Sequence, residues 1–359
     1  MHLLETDMGK VLLFSDIHIH PHKRRQDRLE DCLSVLDWVF SVAKDKGVKS
    51  VLFGGDLFHD RQKIDVYTYQ RTFEIFSKWL PNNDFKVYLV LGNHDLWFNE
   101  QTSISSVMPF SSIPNIVIVD KPTRMKVEGD YWDVIPFTHD PIKAMDILSE
   151  QEGEFQYCLG HLAVDGAVLH GSSISDVSIE HDGEMVKVSP GMFKNYKKVF
   201  LGHYHAHQRL EPNVEYIGSP LQLSFGEAFQ QKHIIEFDGK TQSEDYIINE
   251  FSPRHLVISP SEVDKHDLNK NFVRIVVDDL SATDLIDMRK DISKDKMIGS
   301  LEIRQQKKRI DKTVIDEAKS IMLREDDMIQ QYVDLVGANG LDKDRLIEVG
   351  KMICQKELD

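Results

Sequence analysis

Histidine, aspartate and asparagine side chains occur in five short clusters along the chain, and four of these clusters contain a glycine. The clusters are Asp16-x-His18, Gly55-Asp56 with His59, Gly92-Asn93-His94-Asp95, Gly160-His161 and Gly202-His203-x-His205. Together they supply carboxylates, imidazoles and one amide oxygen, a ligand set that suits Mn²⁺, Fe²⁺ or Zn²⁺ better than Ca²⁺. One such cluster alone could be a simple turn. Five in order, each after an apolar run, predict a dinuclear metal site.

The spacing inside the clusters supports this prediction. In Asp16-x-His18 and in His203-x-His205 the two side chains are two residues apart, so on an extended backbone both point the same way. The adjacent glycines let the backbone turn sharply at the end of a strand and let a substrate approach closely.

The first three clusters need strands to position them, and the sequence predicts those strands. Apolar runs at Lys10–Ser15, Ser50–Gly54 and Lys86–Leu91 have the length of buried strands. Helical spacing of apolar residues separates them at about 28–46 and 65–80. Alternation of strands and helices implies a parallel sheet, and open sheets of this kind carry their sites at the carboxyl ends of the strands.

Beyond residue 113 the pattern changes to short strands, with one helix near 141–150. We expect these strands to form a second sheet packed against the first, which gives an α/β two-sheet sandwich flanked by helices. The predicted strands lie near 115–119, 124–128, 131–135, 155–160, 197–201, 214–217 and 233–237.

The pattern predicts three segments, at 1–250, 251–304 and 305–359. The second is a small α/β unit with strands near 272–277 and 298–304 around a helix near 281–293. The third begins with a polar, basic linker and continues as helices. Their apolar faces either pack on each other or on the body of the protein, or they dock a partner.

Composition narrows the class of protein. The 359 residues include 43 basic and 59 acidic ones, a net charge of −16, which argues against holding nucleic acid by bulk electrostatics. Three cysteines far apart indicate no disulfide framework. We expect no membrane-spanning helix and no signal peptide. A phosphate-binding Gly-x-x-x-x-Gly-Lys-Ser/Thr motif is absent from the sequence, so the chain is not itself an ATPase of that class.

The five clusters also carry a family resemblance. SDIHIH, GGDLFHDR, LVLGNHD, LGH and LGHYHAH resemble, in order, the motifs of the calcineurin-like metallophosphoesterases. GDLFH and the stretch Glu215–Gln222 are similar to the DNA-repair nucleases of the SbcD type. Protein phosphatases of the superfamily tend to carry Asp-Arg-Gly where this chain has Asp60-Arg61-Gln62. The resemblance is specific over 10–226 and only architectural beyond.

The resemblance implies a metallophosphoesterase fold with a ligand set for two Mn²⁺ ions, with Fe²⁺, Zn²⁺ or Mg²⁺ as alternatives. Asp56 would bridge two ions roughly 3.5–4 Å apart. The first ion would be held by Asp16, His18 and His205, and the second by Asn93, His161 and His203. Residues 1–250 would then form the nuclease domain and residues 251–304 a capping, DNA-binding domain.

The resemblance also implies catalytic roles. His94 would reach the phosphate and donate to the leaving oxygen, Asp95 would orient the His94 ring, and His59 would support the site or the substrate. Candidates for substrate contact are His20, His22, Lys23, Arg24, Arg61 and His207. For several of these a plainer interpretation stands beside the functional one: a solvated helix start for His20 to Arg24, and a loop ion pair for Asp60 and Arg61.

These expectations combine into a functional hypothesis. The chain would be a Mn²⁺-dependent DNA exonuclease and endonuclease, acting at DNA ends with an SbcC-like coiled-coil ATPase that residues 305–359 dock. The resemblance implies a homodimer within a heterotetramer, in the cytoplasm of a bacterium or a phage-infected cell. One alternative is a phosphoesterase for a small phosphodiester or a phosphoprotein. Another is a non-enzymatic scaffold that binds metal or senses DNA ends.

Overall fold

The structure is a computed structural model that describes residues 9–22, 25–98, 101–169, 173–278, 280–294, 297–305, 342–345 and 347. Lys23 and Arg24, two predicted substrate contacts, lie outside these residues, as does most of the predicted docking segment 305–359. The chain divides into two compact units. One comprises Met1–Val277 with Ser281–Arg304, and the other Asp278–Leu280 with Gln305–Asp359. All five clusters that carry the predicted chemistry belong to the first unit.

The elements of this unit are short strands and four α-helices among the described residues. The strands are β1 (Lys10–Phe14), β2 (Ser50–Phe53), β3 (Lys86–Val90), β4 (Leu96–Phe98), β5 (Gln101–Ser105), β6 (Ile116–Val119), β7 (Thr123–Val127), β8 (Asp130–Ile135), β9 (Tyr157–His161), β10 (Ser178–His181), β11 (Glu184–Lys187), β12 (Lys198–Gly202), β13 (Gln208–Glu211), β14 (Val214–Tyr216), β15 (His233–Asp238), β16 (Ser243–Ile248), β17 (His255–Ile258), β18 (Phe272–Val277) and β19 (Ser300–Gln305). The helices are α1 (Gln26–Asp45), α2 (Val66–Trp79), α3 (Pro141–Ser149) and α4 (Ala282–Ser293). Short 3₁₀ helices lie at Leu80–Asn82, Met108–Ser112, Pro190–Phe193, Phe225–Glu227 and Pro260–Lys265.

The first sheet has the order β16-β15-β1-β2-β3-β6. Strands β1, β2, β3 and β6 run parallel, with α1 and α2 as crossovers, so the predicted parallel sheet is confirmed. Helix α2 begins at an N-cap, Asp65, whose side chain accepts from the Thr68 N–H at 2.9 Å. The start of α2 therefore follows from local capping as well as from its apolar face.

The second sheet has the order β13-β14-β12-β9-β8-β7. Its four central strands are parallel and its two edge strands antiparallel. Two strands expected here lie in the first sheet instead: β6 pairs with β3, and β15 pairs antiparallel with β1. That element of the prediction was wrong, because apolar periodicity identifies a strand but not its partner.

The core between the two sheets is apolar and aromatic. Val11, Leu13 and Leu52 of the first sheet are buried with Trp132 and Phe200 of the second. Alternation along each strand sends the intervening residues to the outer faces, where helices cover them. On the outer side of the first sheet Phe40 of α1 meets Phe76 of α2, with ring centroids 5.2 Å apart. The predicted sandwich flanked by helices is confirmed.

The segment that follows contains the predicted small α/β arrangement. Strands β17, β18 and β19 form a three-stranded sheet accompanied by α4. The predicted division of the chain at 250 and at 304 stays a prediction. None of the described helices is long and apolar enough to span a membrane.

Candidate metal centre

Every cluster singled out in the sequence follows the carboxyl end of a parallel strand. Asp16 and His18 follow β1, Asp56 follows β2, Asn93 follows β3, His161 ends β9, and His203 and His205 follow β12. Since both sheets end at the same side of the sandwich, these loops meet at one point.

The backbone at these strand ends is in an uncommon conformation. Asp16, His18, Asp56 and His203 all have positive φ, at 56°, 47°, 63° and 102°. Non-glycine residues with positive φ are uncommon, and such strain clusters at functional sites. The turns aim the side chains inward at a conformational cost that the surrounding packing offsets.

The other six predicted ligands surround Asp56. Its Oδ2 lies 3.4 Å from His18 Nε2 and 3.4 Å from His161 Nε2. On one side, Asp16, His18 and His205 place ligand atoms within 4.8 Å of one another, and the two Nε2 atoms of His18 and His205 are 3.0 Å apart.

On the other side of Asp56, two histidine rings contact the amide oxygen of Asn93. Asn93 Oδ1 lies 3.1 Å from His161 Nε2 and 2.9 Å from His203 Nδ1. Asp16, Asp56 and His161 also place ligand atoms within 4.8 Å of one another. The two groups thus share Asp56, which is the arrangement expected of a carboxylate between two ions.

The electrostatics fit cations in this position, because the charges of Asp56 and Asp16 outweigh burial and raise the pKa of His161 to about 9. Burial lowers the pKa of His18 well below its usual value and that of His203 to about 3, so both rings are neutral at neutral pH. Burial alone would raise the pKa of Asp56, but the neighbouring His161 and His18 hold it below its ordinary value. Neutral imidazoles and ionised carboxylates are the forms that bind metal. The buried Nδ1 of His18 has no hydrogen-bond partner among the described residues.

His94 is fixed beside the ligands but is not one of the seven. Its backbone N–H donates to Asp56 Oδ1 at 2.7 Å, and its ring Nδ1 donates to the His59 carbonyl at 2.5 Å. The His59 ring stacks on the His94 ring, with centroids 5.7 Å apart. His59 and His94 therefore lie together next to His18, whose ring centroid is 4.8 Å from that of His94.

The expected role of Asp95 needs correction. Its carboxylate does not orient the His94 ring, because the His59 carbonyl occupies that position. Asp95 is fully buried and accepts instead from the N–H groups of Asp56, Leu57 and Gly92, each at 2.9 Å. Burial and the neighbouring Asp56 charge raise the pKa of Asp95 to about 7. Asp95 thus ties together the loops after β2 and β3.

Three of the predicted substrate contacts lie near this centre. His20 Nε2 lies 3.0 Å from Asp60 Oδ2, and the rings of His20 and His22 each lie close to that of His59, with centroids 5.2 and 5.0 Å away. Burial lowers the pKa of His22 to about 3. Arg61 lines a cavity that Asn93 and His203 also line.

His207 is the exception among the described candidates. Its Nε2 contacts Glu215 Oε2 at 3.1 Å, and its ring packs against those of His233 and Tyr246. It lines a different cavity, with those two residues. The expected substrate contact is therefore not supported, although the i+2 spacing from His205 suggested it.

Sequence reasoning missed Glu227 and Lys232. Glu227, 2% exposed, accepts from His205 Nδ1 at 3.2 Å, and its other oxygen lies 2.7 Å from the buried Lys232 ammonium. Ser219 Oγ donates to the same oxygen at 3.1 Å. A carboxylate on the far nitrogen of a ligating histidine fixes the tautomer that leaves Nε2 free for metal. The only local signal was the position of Glu227 a few residues after the SbcD-like stretch Glu215–Gln222.

A two-sheet sandwich that gathers two carboxylates, four imidazoles and one amide at the ends of its parallel strands has the architecture of a metal-dependent phosphoesterase. The family comparison agrees, since the model of the calcineurin-like phosphoesterases matches residues 9–207. The chain belongs to the calcineurin-like phosphoesterase family.

Three relatives of the chain are named as exonuclease or nuclease subunits. The chain is 25% identical over 238 residues to exonuclease subunit 1 of Enterobacteria phage T4. The aligned region covers 66% of this chain and 67% of that protein. It is 24% identical over 263 residues to the D subunit of the SbcCD nuclease of Staphylococcus saprophyticus, covering 66% and 68%. The protein of the same name from Bacillus subtilis is 22% identical over 268 residues, covering 66% and 67%.

Proposed function

We propose that this protein is a Mn²⁺-dependent DNA nuclease that hydrolyses phosphodiester bonds at DNA ends. The observation that carries the proposal is the convergence of six predicted ligand side chains around the seventh, Asp56, with His94 held beside them. The names of these relatives, an exonuclease subunit and two nuclease subunits, favour a nucleic acid over other phosphodiesters.

In this proposal each of the two groups of ligands would hold one cation, and Asp56 would belong to both groups. Bound divalent ions lower the pKa of a water molecule and stabilise charge on the phosphoryl oxygens. Asp16 and Asp56 would neutralise some of the metal charge, and the four imidazoles would bind in their neutral form without adding charge. This mixed oxygen and nitrogen set suits Mn²⁺ and would also accept Fe²⁺ or Zn²⁺.

His94 supplies the acid–base function in this scheme. Because its Nδ1 donates to the His59 carbonyl, a proton on Nε2 makes the ring a cation. That proton and that charge would stabilise the leaving oxygen as the P–O bond breaks. The fixed backbone of His94 keeps the ring at a constant position relative to Asp56.

We further propose that the chain works as a subunit with an ATPase. Two ions would add four positive charges at the phosphate, but the net charge of −16 leaves little basic surface for a long duplex. A coiled-coil ATPase of the SbcC type, docked through 305–359, would supply that surface, with two copies of this chain in the assembly. The names of the relatives, which call them subunits, support this arrangement.

The test is cleavage of end-labelled linear DNA with Mn²⁺, beside p-nitrophenyl phosphodiester and monoester controls. Asp56→Asn should abolish cleavage, whereas Asp182→Asn, a carboxylate exposed at 94%, should leave it unchanged. Turnover of the small esters with DNA intact, even with an added SbcC-type ATPase, would replace this proposal by a small-substrate phosphoesterase. Binding of Mn²⁺ without hydrolysis of any of these would indicate a scaffold.

A further inference from the structure

A cavity of about 380 Å³ adjoins the candidate metal centre. Two of the predicted ligands, Asn93 and His203, belong to its lining, so the cavity opens onto the place where the second ion would lie. Its volume is at the lower end of the range of small-ligand pockets, roughly 300–1,000 Å³. It suits one compact chemical group rather than a length of peptide.

The walls of this cavity combine an aromatic ring with aliphatic side chains. Phe137 follows β8 and is anchored by its N–H, which donates to the Leu91 carbonyl at 2.8 Å. Its ring lies at 31° to that of His203, with centroids 6.2 Å apart, and meets the His139 ring edge-on at 5.2 Å. Phe137 therefore presents a ring that is held next to a predicted metal ligand.

The aliphatic side of the lining comes from the segment around β10. Val177 and Ile179 both line the cavity and are half-buried. The Val177 carbonyl accepts from the Val188 N–H at 2.9 Å, which fixes this segment against the residues that follow β11. A flat apolar group could thus pack between aliphatic and aromatic surfaces.

A cation completes the lining. Arg61, from the loop after β2, lies on the same cavity as Asn93. Guanidinium groups recognise phosphate well, so the cavity offers a positive group together with an apolar interior. That combination matches a nucleotide, which joins a flat base to an anionic phosphate.

We infer that this cavity binds the base of the nucleotide whose phosphate lies at the metal centre. The inference rests on the proposed nuclease function and adds a base-binding site to it. Base packing on aromatic side chains tolerates any sequence, because every base has a π face. The cavity would then hold the reacting nucleotide in place without imposing a sequence preference.

The test is binding of dAMP and of 2-deoxyribose 5-phosphate, each measured by equilibrium dialysis with Mn²⁺ present. The full chain should bind dAMP about tenfold or more tightly than the base-free sugar phosphate, the factor that one base-stacking contact supplies. Val177→Trp, which fills the cavity, should remove this preference and leave sugar phosphate binding unchanged. Ile174→Trp adds the same bulk at a side chain exposed at 65% outside the cavity lining and should keep the preference.

Phe137→Leu provides a second, milder variant that keeps the apolar volume but removes the ring. It should weaken dAMP binding several-fold without affecting the sugar phosphate, which also shows that the variant is folded. Equal binding of the two ligands by the unmodified chain, or an unchanged preference in Val177→Trp, would overturn the inference. Failure of the nuclease proposal would show separately, as intact DNA in the cleavage assay while dAMP binding is still measured.

Discussion

His94 is held at two points. Its backbone N–H donates to Asp56 Oδ1, and its ring Nδ1 donates to the His59 carbonyl. The ring contact occupies Nδ1, and His94 is not one of the seven predicted ligands, so removing its ring should leave that ligand set intact. We predict that His94→Ala keeps Mn²⁺ and DNA binding but lowers the rate of DNA cleavage by about 10²–10⁴-fold, the range for one acid–base group. Single-turnover cleavage with bound DNA measures this rate directly.

The matched control is His181→Ala. His181 lies on β10 and pairs with Asp140, and this variant should cleave DNA at the normal rate. Unchanged cleavage in His94→Ala would remove the acid–base role from this residue. A parallel loss of Mn²⁺ binding would instead make His94 a member of the ligand set.

Glu227 acts on the centre through His205 rather than by contact with substrate. Its carboxylate accepts from His205 Nδ1 and is itself held by Lys232 and Ser219. We predict that Glu227→Gln weakens binding of one of two Mn²⁺ ions by about 10–100-fold, the usual effect of such partners, and leaves the other unchanged. Free Mn²⁺ followed by electron paramagnetic resonance during a titration resolves the two affinities.

Glu236→Gln is the control, because that buried carboxylate is paired with Lys10 and Lys46 instead of a predicted ligand. It should bind Mn²⁺ as the unmodified chain does. Two unchanged Mn²⁺ affinities in Glu227→Gln would show that the hydrogen bond to His205 has no influence on the metal.

The conformation of the loop after β2 requires a glycine at position 55. Its φ is +102°, and a Cβ there would lie 2.4 Å from His161 Nδ1 and 2.9 Å from the Gly92 Cα. We predict that Gly55→Ala displaces His161 or the loop and lowers Mn²⁺ affinity at least about tenfold, in addition to a backbone cost of roughly 1–3 kcal/mol. Mn²⁺ titration and thermal unfolding measure the two effects.

Gly129→Ala separates the clash from the backbone strain. Gly129 has a similar φ of +93°, but no atom lies within 4 Å of its Cβ position. It should lose stability by a similar backbone cost while binding Mn²⁺ normally. Equal Mn²⁺ affinities in the two variants would mean that close approach at Gly55 is not needed.

The ends of the strands were predictable from sequence because each cluster directly follows its own apolar run. The assignment of β6 and β15 to a sheet was not, since strand pairing joins residues far apart in the chain and leaves no local period. The same holds for Glu227, which lies 22 residues after His205. Asp95 was given the wrong neighbour because adjacency to His94 in sequence is not adjacency of side chains in space.

The buried acidic groups should make the stability of the whole fold depend on metal binding. Asp16 and Asp56 are both buried, and burial together with the neighbouring charge of Asp56 raises the pKa of Asp16. Two cations at this point would offset that repulsion in the interior of the sandwich, where screening by salt is weak. The folded state should therefore depend on metal for some of its stability.

We accordingly predict that Mn²⁺ raises the melting temperature. A ligand that binds only the folded state adds about 2.7 kcal/mol per site at a free concentration 100 times its Kd, which corresponds to a shift of several degrees for a chain of this size. Chelation with EDTA should reverse the shift. Asp56→Asn removes the shared ligand, so it should respond little to Mn²⁺. Without metal it should melt below the unmodified chain, because His161 and His18 hold the pKa of Asp56 below its ordinary value and its charge therefore stabilises the fold. Differential scanning calorimetry with and without Mn²⁺ gives all four values. An equal metal response in the two proteins would show that Asp56 does not bind the ions.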